Sequence, residues 1–281
     1  MTSEEQLRAD IVEVGRRLWA RRYVASNDGN ISVRLDEKRL LTTPKGVSKG
    51  FMTPDMMVVT DMSGAKLAGA RDPSSELLMH LAVYRHRPDV NAVVHAHPPV
   101  ATAFAVAGVP LDRAVLAEVV CTLGCIPIAD YGTPSTPELP AAVERYIMAH
   151  DGMLLANHGA LTVGHELFAT YYKMETIEHF AQITLVARQL GGERLFSREE
   201  VTRLQGLRGK YGIAAPAPIC PDPVDEAAAG VTCQVVEAPS APPGERLVGG
   251  PAASAAGDAE IRLTYRELCA LIEDAVRALE D

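Results

Sequence analysis

Two histidines stand two residues apart in the apolar run Val93-Val94-His95-Ala96-His97-Pro98. In a strand, side chains two apart point to the same face, so His95 and His97 can converge on one ion. A third imidazole follows another β-prone run, in Ala156-Asn157-His158-Gly159. Three histidine ligands with an open fourth position form a catalytic rather than a structural zinc arrangement. A His-x-His pair alone fits buried or surface histidines equally well. The placement of His95, His97 and His158 at the ends of apolar strands favours a Zn2+ site.

A second group of residues has the chemistry of an anion cradle. Pro73-Ser74-Ser75-Glu76 precedes a predicted helix and puts two serines in its opening turn. Hydroxyls, free backbone N–H groups and the positive end of the helix dipole favour an anion there. An ordinary cap with a first-turn glutamate reads the same way. Two turns, Asn27-Asp28-Gly29-Asn30 and Thr43-Pro44-Lys45-Gly46, carry glycines that permit close backbone approach to a phosphate, and Lys45 can add charge. Each is also compatible with a plain turn, and spacing alone does not bring them together.

The elements that must position these groups follow from periodicity. Leu7, Ile11, Val14, Leu18 and Trp19 at helical spacing predict an amphipathic helix over 4–22. Strands are predicted at 30–35, near 40–42 and at 57–61. A helix over 73–86, with Leu77, His80, Leu81 and Tyr84 on one face, is broken by Pro88. Then come a buried strand at 90–96, a helix at 98–107, further strand material within 115–128, a helix at 139–148, strands at 152–156 and from 161, a long helix over 167–190 and a short one over 198–207.

Near residue 213 the character changes. Between Ala214 and Asp258, Ala, Pro, Gly and Ser dominate and periodicity disappears. Such a segment buries too little apolar surface to offset its ordering entropy, which predicts a flexible linker over 214–260 after a domain over 1–213. Residues 261–281 regain helical order. Thr264-Tyr265-Arg266-Glu267 is a capping-box pattern, and Leu268, Leu271, Ile272, Ala275, Val276 and Leu279 share a face. A helix this short wants a partner surface.

Composition narrows the function classes. A net charge of −9 over 281 residues argues against a nucleic-acid surface. The acidic N-terminus has no apolar leader, and no apolar run is long enough to span a bilayer. Five scattered cysteines (Cys121, Cys125, Cys220, Cys233 and Cys269) make no disulfide framework. The expected location is the cytoplasm.

In combination the motifs go further. Gly29-Asn30-Ile31-Ser32-Val33-Arg34, Thr43-Pro44-Lys45-Gly46, Pro73-Ser74-Ser75-Glu76, His95-Ala96-His97 and Asn157-His158-Gly159 occur in one order over residues 5–212. This set resembles the class II aldolase/adducin family. The resemblance implies a three-layer α/β/α domain that forms a homotetramer with active sites at subunit interfaces. It implies His95, His97 and His158 as Zn2+ ligands and Glu76 as the catalytic acid/base. Gly29, Asn30, Gly46, Ser74 and Ser75 match the substrate-phosphate cradle, with Asn27 and Thr43 on the same turns. Tyr211, in Lys210-Tyr211-Gly212, matches a C-terminal tyrosine near the site. The implied reaction is aldol cleavage of a ketose 1-phosphate, fuculose 1-phosphate-like, to dihydroxyacetone phosphate and a short aldehyde such as lactaldehyde.

Family members acting as epimerases, dehydratases or decarboxylases, and non-catalytic adducin-like modules, share the scaffold. One departure bears on the reaction. The fuculose-phosphate-cleaving members carry a tyrosine shortly after the Pro that follows the His-x-His strand. Here Val109-Pro110 is followed by Leu111-Asp112-Arg113-Ala114-Val115-Leu116, with no tyrosine, leaving Glu118 as the nearest ionisable side chain in an apolar context to substitute for it. The tail at 261–281, after its long linker, resembles the encapsulation peptides that recruit enzymes to the shell proteins of bacterial microcompartments; docking on its own tetramer is the alternative.

Overall fold

Residues 3–214 and 217–219 are described by the computed structural model. Most of the linker, and all of the helix expected over 261–281, lie outside the described residues. Ala217–Ile219, within the stretch read as linker, lies against the body. The Pro218 carbonyl accepts from the Cys125 N–H at 2.8 Å, and Ile219 is buried with Ala114, Val120 and Val201.

The first helix, α1 (Glu4–Ala20), starts where the Ser3 side chain accepts from the Gln6 N–H, with Glu4 and Glu5 suiting the positive end of its dipole. Ile11, Val14 and Leu18 are fully buried along its inner face. Trp19, counted with that face from spacing, stands 45 % exposed and meets Phe51 edge-on.

The strands that follow are β1 (Asn30–Arg34), β2 (Arg39–Thr42), β3 (Val58–Asp61) and β4 (Lys66–Ala68). β4 has no apolar alternation and went unread in the sequence; all three of its residues are exposed. Next come α2 (Leu77–His86), β5 (Ala92–Ala96), α3 (Pro99–Ala107) and α4 (Ala117–Thr122). The described part closes with β6 (Ile128–Ala129), α5 (Glu138–Glu144), β7 (Gly152–Leu155), β8 (Gly159–Gly164), α6 (Leu167–Gln189) and α7 (Arg198–Leu207).

The strands form an eight-stranded sheet ordered β4-β3-β2-β1-β5-β8-β7-β6, antiparallel except for the β6–β7 pair. Alternation along the central strands divides the core. Ile31, Val33, Ala92, Val94 and Ala96 face α1, α3 and α6, whereas Val93 packs with residues of α2 and α5 on the opposite side. The result is the expected α/β/α sandwich. His95 shares Val93's parity, and Asn30 and Ser32 have the parity opposite to Ile31, so all three face α2.

Two expectations change. The stretch 115–128 holds less strand than expected: α4 occupies part of it, Ile126 makes an isolated bridge with Leu111, and Ile128 begins β6. A short apolar run without clear period suits a buried helix as well as a strand. The serines of Pro73-Ser74-Ser75-Glu76 precede α2, whose N-cap is Glu76, instead of forming its opening turn.

Candidate metal centre

The site is assembled at the junction of β1, β5 and β8. Asn30 pairs with His95 across the β1–β5 ladder, and His95 pairs with Leu161 on β8. His95 is fully buried at the penultimate position of β5, His97 lies just beyond its end, and His158 sits in the β7–β8 turn. That turn requires Asn157 to adopt a φ of 54°, in the left-handed region that asparagine tolerates better than most residues.

The three rings meet with centroids 4.7–5.1 Å apart, and one ligand nitrogen from each lies within 4.8 Å of the others. The Nδ1 of His95 is 2.9 Å from the Ala160 carbonyl oxygen. A carbonyl only accepts, so Nδ1 carries the proton and Nε2 is bare. Similarly, His97 Nδ1 faces the Asp28 carboxylate at 3.5 Å, which favours a bare Nε2 there too. These two Nε2 atoms stand 3.1 Å apart. Two bare lone pairs at that distance repel unless a positive charge lies between them, so the donor set fits a divalent cation. Burial pushes the His95 pKa down to about 3, and burial together with the neighbouring His158 lowers that of His97. Both are thereby kept neutral at ordinary pH, the form in which an imidazole can bind a metal.

Glu76, at the N-cap of α2, completes the group. Its Oε1 lies 3.1 Å from His158 Nε2 and its Oε2 3.4 Å from His95 Nε2. Burial opposes its charge, but the two imidazoles and the Asn30 amide, which donates to Oε2 at 2.7 Å, hold the carboxyl well below the usual carboxylate range. Beneath it, Ser32 Oγ contacts His80 Nδ1 at 2.7 Å and the Tyr84 hydroxyl at 2.9 Å, tying α2 to β1 through buried polar groups.

A cavity of about 270 Å³ opens beside this cluster, lined by Asn27, Gly29, Asn30, Gly46, Ser74, Ser75, Glu76, His97 and His158, and also by Asp28, Pro44, Lys45 and Lys49. The turns meet through backbone pairing that spacing could not foretell. Pro44 bridges Pro73, the Lys45 N–H donates to the Asp72 carbonyl at 2.9 Å, and the Ser74 N–H to that of Thr43 at 3.1 Å. Gly29 is compelled on two grounds: its φ is 72°, and a Cβ would lie 2.8 Å from the His95 carbonyl oxygen.

Not every expected residue reaches the cavity. Thr43 is fully buried, and its Oγ1 accepts from the Ile31 N–H at 3.2 Å, so it supports the turn from below. The Ser74 hydroxyl accepts from the Glu76 N–H at 3.3 Å, a local turn ahead of α2 and not a cap of it, since the N-cap is Glu76 and no side chain caps the helix. Tyr211 is 66 % exposed and Glu118 lies exposed on α4; neither lines the cavity of its own chain. Lys49 lines it and was not read from sequence, because a lysine in Val47-Ser48-Lys49-Gly50 has no periodic or motif signal to mark it.

The family profile described as Class II Aldolase and Adducin N-terminal domain matches residues 9–185. The chain belongs to the class II aldolase and adducin family. Among its relatives is an L-fuculose phosphate aldolase of Methanococcus maripaludis, 34 % identical over 181 residues, covering 64 % of this chain and 97 % of that protein. A 3-oxo-tetronate 4-phosphate decarboxylase of Haemophilus influenzae is 32 % identical over 207 residues, 71 % of this chain and 96 % of the relative. The crystal structure of L-fuculose-1-phosphate aldolase from Thermus thermophilus superposes with a TM-score of 0.60 at 33 % identity, over 67 % of this chain and 98 % of that one. Within this class II aldolase family, then, similar relatives are enzymes of both carbon–carbon cleavage and decarboxylation. No helix among the described residues is long and apolar enough to cross a membrane.

Proposed function

We propose that this class II aldolase-family chain is a zinc-dependent aldehyde-lyase that reversibly cleaves a ketose 1-phosphate, fuculose 1-phosphate-like, to dihydroxyacetone phosphate and a short aldehyde such as lactaldehyde. One observation carries the reading: Glu76 stands 3.1 Å and 3.4 Å from two of three converging imidazoles, on the wall of a cavity shared with the glycine and serine turns. His95, His97 and His158 hold the metal. Bound Zn2+ supplies Lewis-acid stabilisation of negative charge on substrate oxygens.

The chain's own groups do the rest. Glu76, ionised and fixed by the Asn30 amide, takes and returns the proton at the carbon next to the substrate carbonyl. Gly29, Asn30 and Gly46 offer backbone donors to the phosphate, joined by the Asn27, Ser74 and Ser75 side chains, while Thr43 braces the turn. Tyr211 and Glu118 act across a homotetramer interface, each reaching a neighbouring subunit's cavity. The enzyme works in the cytoplasm, with residues 261–281 addressing it to a microcompartment shell protein.

The test is a panel of fuculose, rhamnulose and ribulose phosphates, assayed with and without chelator. Chelator-sensitive release of dihydroxyacetone phosphate is expected; a zinc-loaded enzyme that releases none from any of them sinks the reading. A second reading, decarboxylation of a 3-oxo sugar-acid phosphate, draws support from the Haemophilus influenzae relative and from the absence of a tyrosine just after Pro110. Carbon dioxide release from such an acid, in place of dihydroxyacetone phosphate from a ketose, distinguishes the two.

A further inference from the structure

Lys49 is 1 % exposed, yet it lines the cavity beside the metal centre. Its Nζ donates to the Val47 carbonyl at 2.7 Å and to the Asn27 carbonyl at 2.9 Å, so it reaches from one glycine-bearing turn to the other. An ammonium has three N–H donors, and these two bonds leave one. Among the described residues no carboxylate comes within the 4.0 Å of an ion pair with it. Burial lowers its pKa to about 8 against the opposing pull of Asp28 and Glu76, so it remains charged at neutral pH.

A buried charge without a paired counter-charge is costly, and removing water strengthens its pull on any anion that enters. A neutral amide side chain could tie two carbonyls together; what the formal charge adds acts on the cavity, where Asp28 and Glu76 attract it without pairing with it. The backbone that carries the lysine is held firmly. Lys49–Phe51 form a 3-10 turn packed on α1, where a Cβ on Gly15 would lie 2.7 Å from the Lys49 carbonyl oxygen and one on Gly50 2.5 Å from the Trp19 ring. The other lysine of the lining, Lys45, is exposed, so solvent screens it.

We propose that Lys49 is the charge that selects a phosphorylated substrate, presenting a buried ammonium to the phosphate held between the Asn27–Asn30 and Pro44–Gly46 turns. This rests on the reading of the substrate as a sugar phosphate. It assigns to Lys49 a role in specificity, with no part in proton transfer.

Titration calorimetry of the purified zinc-loaded protein with inorganic phosphate tests it. Wild type should bind phosphate, and Lys49→Gln, which keeps a donor for the carbonyls but loses the charge, should bind it about 10- to 100-fold more weakly with zinc stoichiometry and melting temperature retained. Lys45→Gln should weaken binding only a few-fold. If Lys49→Gln binds phosphate as wild type does, the inference fails while the phosphate reading stands. If wild type binds no phosphate, both fail together. Should Lys49→Gln not fold, Lys49→Arg carries the test: phosphate binding within a few-fold of wild type supports a role for charge, and its loss overturns it.

Discussion

A Cβ on Gly159 would lie 2.5 Å from the Ala96 carbonyl oxygen and 2.6 Å from His97 Cδ2. Neither neighbour can yield without moving the end of β5 or the His97 ring, so even the smallest side chain there displaces one of the three proposed ligands. Gly159→Ala should fold but lose most of its zinc, read by metal analysis after dialysis; full zinc occupancy would contradict the packing argument. His95→Ala and His97→Ala should each abolish stoichiometric zinc uptake, and retained stoichiometry would remove them from the site. Glu76→Gln tests a different property. It keeps the shape but cannot take a proton, so it should retain zinc and lose about 10²- to 10⁴-fold in turnover. An active Glu76→Gln enzyme would exclude this carboxylate as the base.

At the scale of elements, α2 is fastened to β1 by Ser32, which contacts His80 and Tyr84, one and two helical turns below Glu76. His80 is entirely buried, and burial pushes its pKa from 6.5 down to about 4. Above pH 6.5 it is neutral whether the chain is folded or not, and no penalty arises. Below that, the unfolded chain takes up a proton that the folded chain refuses, so stability falls as pH drops from 6.5 towards 4. By pH 5 this site alone should cost about 2 kcal/mol. Denaturant melts of the metal-free protein at pH 7 and pH 5 measure the loss, and His80→Gln should show a smaller one. An equal loss in that variant would place the sensitivity elsewhere.

The same scale explains what could be read in the sequence. The helix bearing Ile11 and Leu18 announces itself through periodicity because one face is buried, and the strand bearing Val94 through a continuous apolar run because both its faces are; the strand bearing Ile31 shows alternation because buried Asn30 and Ser32 are polar. The parity of His95 and His97 was legible from the Val94 run. The meeting of the Thr43–Gly46 and Pro73–Glu76 turns was not, since it depends on the Pro44–Pro73 bridge between segments with no mutual pattern. Lys49 was invisible because its burial comes from a 3-10 turn seated on α1, and β4 because both its faces are wet.

For the whole molecule, the proposed addressing role of residues 261–281 predicts that they can be removed without loss of the chemistry. Deleting residues 214–281 removes Ala217–Ile219, which pack against Cys125 and Val201, so the cleaner cut removes only 261–281. That truncated enzyme should keep full activity and lose co-sedimentation with microcompartment shell proteins; unchanged co-sedimentation would reassign the tail to its own tetramer.

The β1–β5 and β5–β8 pairings join residues distant in the chain, such as Asn30 with His95 and His95 with Leu161. Closing loops of that length is slow, so the ion's ligands become neighbours only when the central sheet zips up. During refolding, zinc capture should therefore lag behind helix formation and coincide with the last tertiary signal. Zinc would then act as a clasp on a finished fold, slowing its unfolding without hastening its assembly.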